Sequence, residues 1–485
     1  MKTLKLFAIV ITLLLLVGCI VTTSHILNKQ EKEQQKQFYI GVTYCGDSAQ
    51  EAKELIDKVK NYTNLFILQS GSLQWNITAM DEIGDYAISS GLKYAVFGVT
   101  TAAYVNRWLN TAKERWGEHF IGIYYNDERG GKMLDDNLRL EDIIEWDEKG
   151  DSMGMDMKTT KYKDGSIRIV DNDTQTTYYP DGTIYKNTDM YYNETPRPSH
   201  SIGVQYYPNG TIIVYETDWD MLKNNNVYTS GNITQYLKPV QPYEEILKQN
   251  PVQTIDDAAR VFVNANKATF EDYFLKKSQL EETIVIFTSD YGLYWWDYQS
   301  GYDLVLAELG WNHTTAQDIA LVRGAANLQN KSWGTIITWK YTHAPYLPNG
   351  EEMFELMKIS YQTGAQYVII FNYSEDKENP NTLQEEHFQA LERFWNDIVQ
   401  NPKIKHGSIK AEAALVLPQN YGWGMRHIDD KIWGIWPADD TSQTIWNQLQ
   451  NKLDKHGLEL DIVYEDPNHP VAGKYANIYY WNQKT

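Results

Sequence analysis

Four carboxylic acids stand where apolar runs give way to polar residues. Asp127 and Glu128 follow Ile121-Gly122-Ile123-Tyr124-Tyr125-Asn126, Asp290 follows the run ending at Thr288, and Glu308 closes Asp303-Leu304-Val305-Leu306-Ala307. Two such acids across a polar cleft can hydrolyse an acetal. One, held protonated, gives its proton to the leaving oxygen; the other, ionised, attacks the carbon or activates water. A carboxyl separation of about 5 Å leads to retention of configuration and one of roughly 6.5–9.5 Å to inversion. Glu128 and Glu308 are the expected catalytic pair, with Asp127 and Asp290 as alternates. The competing reading of each acid is charge compensation by a nearby cation such as Arg129, Arg323 or Lys340.

The elements that must hold these acids are eight short runs rich in Ile, Val, Phe, Tyr and Leu. They lie at 38–44, 64–69, 93–99, 119–125, 283–288, 302–307, 334–339 and 366–372. Runs of this length and composition suit parallel strands buried on both faces. Between them lie stretches with apolar residues at helical spacing, at 49–59, 79–89, 104–116, 255–274, 316–328, 351–361 and 385–399. Gly91 and Gly364 sit shortly before strands, where helix C-caps belong. Strand-then-helix repeated eight times predicts an α/β fold of the TIM (β/α)₈ barrel type, with strand C-terminal ends facing the site; an open doubly wound sheet uses the same alternation.

Side-chain alternation orients part of the set. With Ile121 and Ile123 facing the helices, Gly122, Tyr124, Asn126 and Glu128 point into the barrel, which favours Glu128 over Asp127. With Val285 and Phe287 assigned to the helix side, Thr288 and Asp290 are expected to face inward. Glu308 cannot be oriented this way, because both faces of its strand are apolar.

Aromatic residues gather at the same strand ends: Tyr44, Trp75, Tyr125, Tyr291, Tyr294, Trp295, Trp296, Trp311, Trp339 and Tyr341. Flat apolar faces with polar edges suit sugar rings, and 16 Trp and 35 Tyr in 485 residues supply them in quantity. Successive residues cannot all face inward, so Tyr294-Trp295-Trp296 reads as a stacking platform rather than core alone. Tyr44, Tyr125, Asn126, Tyr291, Trp295, Trp296, Trp339, Lys340 and Asn372 are the expected substrate-binding residues. Neither His-Glu-x-x-His nor paired cysteines occur, so no metal is implied; no cofactor is implied either, and the Gly-x-Ser-x-Gly elbow of serine hydrolases is missing.

A net charge of −20 argues against nucleic acid or an anionic membrane surface as partner. Hydrophobic content of 42% is enough for a sizeable core. Residues 1–23 read as a targeting segment, with Lys2 and Lys5 before an apolar stretch from Leu6 to Val17. Leu16-Val17-Gly18-Cys19 resembles a lipobox with Cys19 as the lipidated residue, while the apolar continuation through Val21 fits an uncleaved membrane anchor. Either form places the remainder outside the cytoplasm, tethered to the cell surface by a polar linker over 24–37, with membrane contact through the anchor only. Nine Asn-x-Ser/Thr sequons between Asn61 and Asn372 fit a surface glycoprotein. Cys45 is the one cysteine left, so no intramolecular disulfide braces the barrel.

The barrel is expected over 38–400, interrupted by a β-rich insertion over 130–254. Three similar units, at Tyr162–Ile167, Tyr179–Ile184 and Tyr207–Ile212, each place Asp-Gly or Asn-Gly between aromatic and β-branched residues, a hairpin signal that predicts a β-meander after the fourth strand. Residues 407–485 predict a short βαβ unit resembling half of a flavodoxin-like domain, similar to the start of the domain after the barrel in some β-galactosidases.

The barrel segment resembles the (β/α)₈ glycoside hydrolase superfamily. Tyr125-Asn126-Asp127-Glu128 after the fourth strand, Glu308 after the sixth and Trp339 after the seventh carry the resemblance. It implies hydrolysis of an extracellular poly- or oligosaccharide by two carboxylates. In the large group with Asn-Glu at strand four, that Glu is the acid/base and the nucleophile follows strand seven. Here Asp127 intervenes, and strand seven ends Thr338-Trp339-Lys340-Tyr341 without an acid. Acids on strands four and six are similar instead to many α-galactosidase-like enzymes, where strand four gives the nucleophile. A non-catalytic carbohydrate-binding surface protein on a degenerate barrel is the alternative.

Overall fold

Eight parallel strands close into a barrel: β1 (Tyr39–Tyr44), β2 (Leu65–Leu68), β3 (Lys93–Phe97), β4 (Phe120–Tyr124), β13 (Val285–Asp290), β14 (Leu304–Leu309), β15 (Ser332–Ile337) and β16 (Tyr367–Ile370). They follow one another around the barrel in chain order, and β16 closes onto β1. The computed structural model describes residues 38–98, 102–135, 144–147, 158–161, 166–171, 174–190, 200–208, 212–218, 223–229, 254–273, 284–311, 313–375, 381–401 and 403–483. The expected anchor and linker, with Cys19, lie outside these residues. Among the described residues no helix is long and apolar enough to cross a membrane.

Each of the eight apolar runs became a strand, displaced by no more than about two residues. The helices follow from the same physics. Helix α1 (Ala49–Val59) opens at Ser48, whose side chain accepts from the Glu51 amide, a cap that stabilises by about 1 kcal/mol. It buries Ala52, Leu55, Ile56 and Val59, one face at helical spacing. Helix α2 (Ile77–Ser89) is capped by Asn76, and α3 (Ala102–Trp116) leads into β4. Gly91 and Gly364 have φ of 89° and 94°, the left-handed backbone that glycine adopts without strain at helix ends.

A six-residue helix, α4 (Arg129–Leu134), follows β4. Between it and α5 (Ile255–Tyr273), eight strands β5 to β12, from Ile144 to Thr229, form a second sheet in chain order, with every pairing antiparallel. Tyr179 and Thr183 bracket one of its turns, where the Tyr179 amide donates to the Thr183 carbonyl at 2.8 Å. A third sheet has three parallel strands in the order β18–β17–β19, from β17 (Ala413–Leu417), β18 (Leu460–Tyr464) and β19 (Asn477–Tyr480).

This third sheet packs on the barrel. Between α5 and α8 (Gly350–Thr363) lie α6 (Tyr294–Ser300), after β13, and α7 (Thr315–Gln329), after β14. Residues 317–326 of α7 are all buried, because the barrel covers one side and β18 the other. Arg323 donates through Nε to Asp461 at 2.7 Å and through Nη2 to the carbonyls of Leu458 and Leu460. Both charged groups are nearly inaccessible, 3% for Arg323 and 0% for Asp461, so either one alone would be costly to bury. A cavity of about 380 Å³ beside this pair is lined by Arg323, Trp333, Thr363 and Tyr475. Trp333 opens β15, which sets that cavity toward the strand N-terminal ends, away from the candidate acids.

Ring stacking shows which side chains fill the barrel. Tyr124 meets Phe97 edge-on at 5.3 Å and stacks on Phe287 at 5.2 Å. Tyr124 and Phe287 are register partners on β4 and β13, and parallel partners share a face. Phe287 and Ser289 therefore point inward, and Thr288 and Asp290 point toward the helices, the reverse of the expectation from alternation. Every β13 residue from Ile286 to Asp290 is buried, so polarity along the strand carries no inside–outside signal.

Candidate active site

The turn from Tyr125 to Glu128 is tied to β13 at both ends. The Tyr125 amide donates to the Phe287 carbonyl and the Glu128 amide to the Ser289 carbonyl, each at 2.8 Å. The Asn126 carbonyl accepts from Thr288 Oγ1 at 2.9 Å. Asn126 and Glu128 have φ of 49° and 60°. Left-handed backbone at residues with a Cβ is strained by about 1–2 kcal/mol each and persists where surrounding contacts over-determine it.

Glu308, on β14, is 3% exposed. Its Oε1 accepts from Ser289 Oγ at 2.7 Å, and the Tyr124 hydroxyl stands 2.6 Å from the same Oγ. Its Oε2 is buried with no hydrogen-bond partner among the described residues. Burial pushes the Glu308 carboxyl well above the usual carboxylate range, and the charges of Glu128, Asp127 and Asp290 push it further, against the Ser289 bond. The protonated acid is the favoured form there. Glu128, by contrast, pairs with Lys132 at 2.9 Å, one helical turn on, and the same Nζ lies 3.8 Å from Asp127. Burial raises the Asp127 carboxyl while Lys132 opposes it. Burial works to lower the Lys132 ammonium, but Asp127 and Glu128 outweigh it and the net shift is upward. A buried carboxyl with a raised titration thus lies within electrostatic reach of a Glu128 that is ion-paired to Lys132.

Asp290 is not in this group. It is fully buried and caps α4. None of Arg129, Arg323 and Lys340 neutralises a candidate acid: Arg129 donates to Asn266, Arg323 pairs with Asp461 and Lys340 with Glu352. Lys132 fills that role, and its i+4 spacing from Glu128 was the signal available in the sequence.

The aromatic residues divide into two sets. Trp339, after β15, stacks on Tyr373 with centroids 5.8 Å apart and planes 2° from parallel, and its indole N–H donates to the Tyr373 carbonyl. Trp311 lies 5.8 Å and Tyr346 4.7 Å from the Trp339 ring. Trp311 and Trp339 are half-buried and Tyr373 exposed, so flat faces remain open at the ends of β14 to β16. Tyr373 and Tyr346 were not among the expected residues, since each follows a strand at a distance set by loop shape.

The second set is core. Tyr294, Trp295 and Trp296 are all buried, at 1%, 3% and 0%. Trp296 packs on Trp433 and Tyr464 and Trp295 on Tyr464, so the C-terminal segment covers the helix side that the barrel does not. That corrects their assignment as stacking platforms. Tyr44 is buried with its hydroxyl bonded to Glu51 and to the Ser48 amide. Tyr125 is buried at 1%. The Tyr291 hydroxyl donates to Asp135, and Lys340 is spent on Glu352. Asn372 is buried and accepts from the amides of Thr382 and Leu383, which makes it a loop anchor.

The C-terminal segment also reaches this end of the barrel. Arg426 pairs with Asp135 at 2.7 Å and lies over the Tyr291 ring at 5.6 Å. His313, after β14, has a ring 6.3 Å from Tyr291; burial and then the Arg426 charge push it down to about 4, so it is neutral at physiological pH. Among the described residues no group of three or more His, Cys, Asp or Glu is arranged to hold a metal ion. Compared with known proteins, the chain matches no protein-family model and no curated protein.

Proposed function

We propose that the protein is a glycoside hydrolase acting on an extracellular poly- or oligosaccharide. The observation that carries this reading is Glu308: a buried carboxyl with one oxygen bonded to Ser289 and the other unpartnered, set at a strand C-terminal end beside an ion-paired Glu128. In this reading Glu308 is the general acid and Glu128 the nucleophile or base, with Asp127 its alternate. Trp339, Trp311 and Tyr373 receive sugar rings. The N-terminal segment tethers the enzyme outside the cytoplasm, and the C-terminal sheet is a flavodoxin-like half-unit whose Arg426 loop reaches the active end.

The test is a panel of oligosaccharides scored for binding and for reducing-end release, with Glu308→Gln and Glu128→Gln in parallel. Each substitution should lower kcat roughly 10²–10⁴-fold without loss of folding. Full activity in either variant would sink the assignment. A second reading, a carbohydrate-binding protein without turnover, is favoured by the missing acid at the end of β15, where Trp339 and Lys340 stand. Binding without product across the panel would decide for it.

A further inference from the structure

Asp290 makes more hydrogen bonds than a helix cap requires. Its Oδ1 accepts from the amides of Gly131 and Tyr291 at 2.7 Å and of Gly292 at 2.9 Å, and its Oδ2 from Gly130 at 2.5 Å. Two of these donors open α4 and two lie in the loop after β13, so a single carboxylate fastens both segments. The residue before it has two further roles. The Ser289 carbonyl accepts the Glu128 amide, and the Ser289 hydroxyl donates to Glu308. Two adjacent residues of β13 therefore connect the two candidate acids through the backbone of one short turn.

We propose that Asp290 is a positioning residue, which fixes the turn carrying Glu128 against the Ser289–Glu308 floor. The proposal rests on the reading of Glu128 and Glu308 as the working pair. The strained turn needs such a clamp: Asn126 and Glu128 hold left-handed backbone, which relaxes unless contacts on both sides prevent it. The packing around α4 is equally tight. A Cβ at Gly131 would lie 2.3 Å from the Tyr291 ring, and one at Gly130 2.8 Å from Asp290 Oδ2. Behind Asp290, on α6, stands Asp297, fully buried, with neither carboxyl oxygen hydrogen-bonded among the described residues. Burial and the Asp290 charge both favour the proton on Asp297, and Arg129 opposes them.

The experiment compares Asp290→Asn with Asp297→Asn. An amide at 290 turns an NH₂ toward backbone N–H groups and loosens the turn, whereas an amide at 297 leaves the four amide bonds to Asp290 in place. Asp290→Asn should lower kcat roughly 100-fold with KM within a few-fold, the penalty of a catalytic group displaced by about 1 Å. It should also shift the titration midpoint of Glu308, followed by ¹³C NMR of labelled Glu carboxyls, to lower pH, because the Glu128 charge moves away. Asp297→Asn should leave both readouts near the parent. An unchanged Glu308 midpoint in folded Asp290→Asn protein overturns the proposal, as does an activity loss that merely tracks the folded fraction by circular dichroism. If Asp290→Asn does not fold, Asp290→Glu, which keeps the charge but moves it by one methylene, is held to the same midpoint criterion. Should the parent turn over no glycan, the function reading fails, and the Glu308 midpoints still decide the role of Asp290.

Discussion

Ser289 and Glu308, 19 residues apart on neighbouring strands, are joined by a hydrogen bond of 2.7 Å that satisfies one carboxyl oxygen and leaves the other buried and unpartnered. A neutral donor on one oxygen and no hydrogen-bond partner on the other, among the described residues, favour the protonated acid. The pairing also gives Ser289 a handle on the acid, since its bond lowers the Glu308 titration.

Ser289→Ala removes that bond, so Glu308 should hold its proton to higher pH. If Glu308 is the general acid, activity falls as it deprotonates, and the alkaline limb of the kcat/KM profile should move upward in this variant. A limb that stays in place or moves down would show that another group sets it.

Glu308→Gln should alter stability in a pH-dependent way. Relative to the unfolded chain, a carboxyl with a raised folded value contributes stability below about pH 4, which is lost as the pH climbs to that folded value. The glutamine variant escapes this loss. Its Tm should exceed that of the parent at pH 8 and converge with it near pH 4; thermal scans across that range check the sign.

The two sets of tryptophans should respond differently. Trp339→Ala should raise KM or the glycan Kd roughly tenfold, about 1.4 kcal/mol, with little change in Tm. Trp296→Ala should cost about 3–5 kcal/mol of stability through the cavity it leaves, with little effect on affinity in the folded fraction. Glycan titration by calorimetry and denaturant unfolding separate the two effects.

Asp461→Ala strands Arg323 in the interface between α7 and β18 and should cost about 3–5 kcal/mol in urea unfolding. Replacing both partners, as Arg323→Met with Asp461→Leu, should recover most of that loss. Equal damage in the single and double variants would mean that packing, not the stranded charge, dominates.

The alternation of apolar runs and helical stretches was legible because it repeats the same two physical periods eight times, and local errors do not accumulate. Parity orients β4 itself, where Tyr124 faces Phe287 across the barrel interior, and stops at Tyr124, before the left-handed turn that carries Glu128. Parity failed on β13, where both faces are buried and Asp290 hides behind the helix it caps. It failed again for Trp295 and Trp296, because no local pattern announces that a segment more than 100 residues away will cover them.

By itself the sequence determined the class of fold, the strand ends and which acids stand at them, because hydrophobic period and residue type are local properties of the chain. Only the tertiary structure decided which acids meet. Burial of Glu308 and its Ser289 bond depend on residues brought together by barrel closure, and these raise the Glu308 titration or hold its carboxyl in place. The division of aromatic residues into open faces and core was likewise settled by what packs over each ring, which spacing along the chain does not encode.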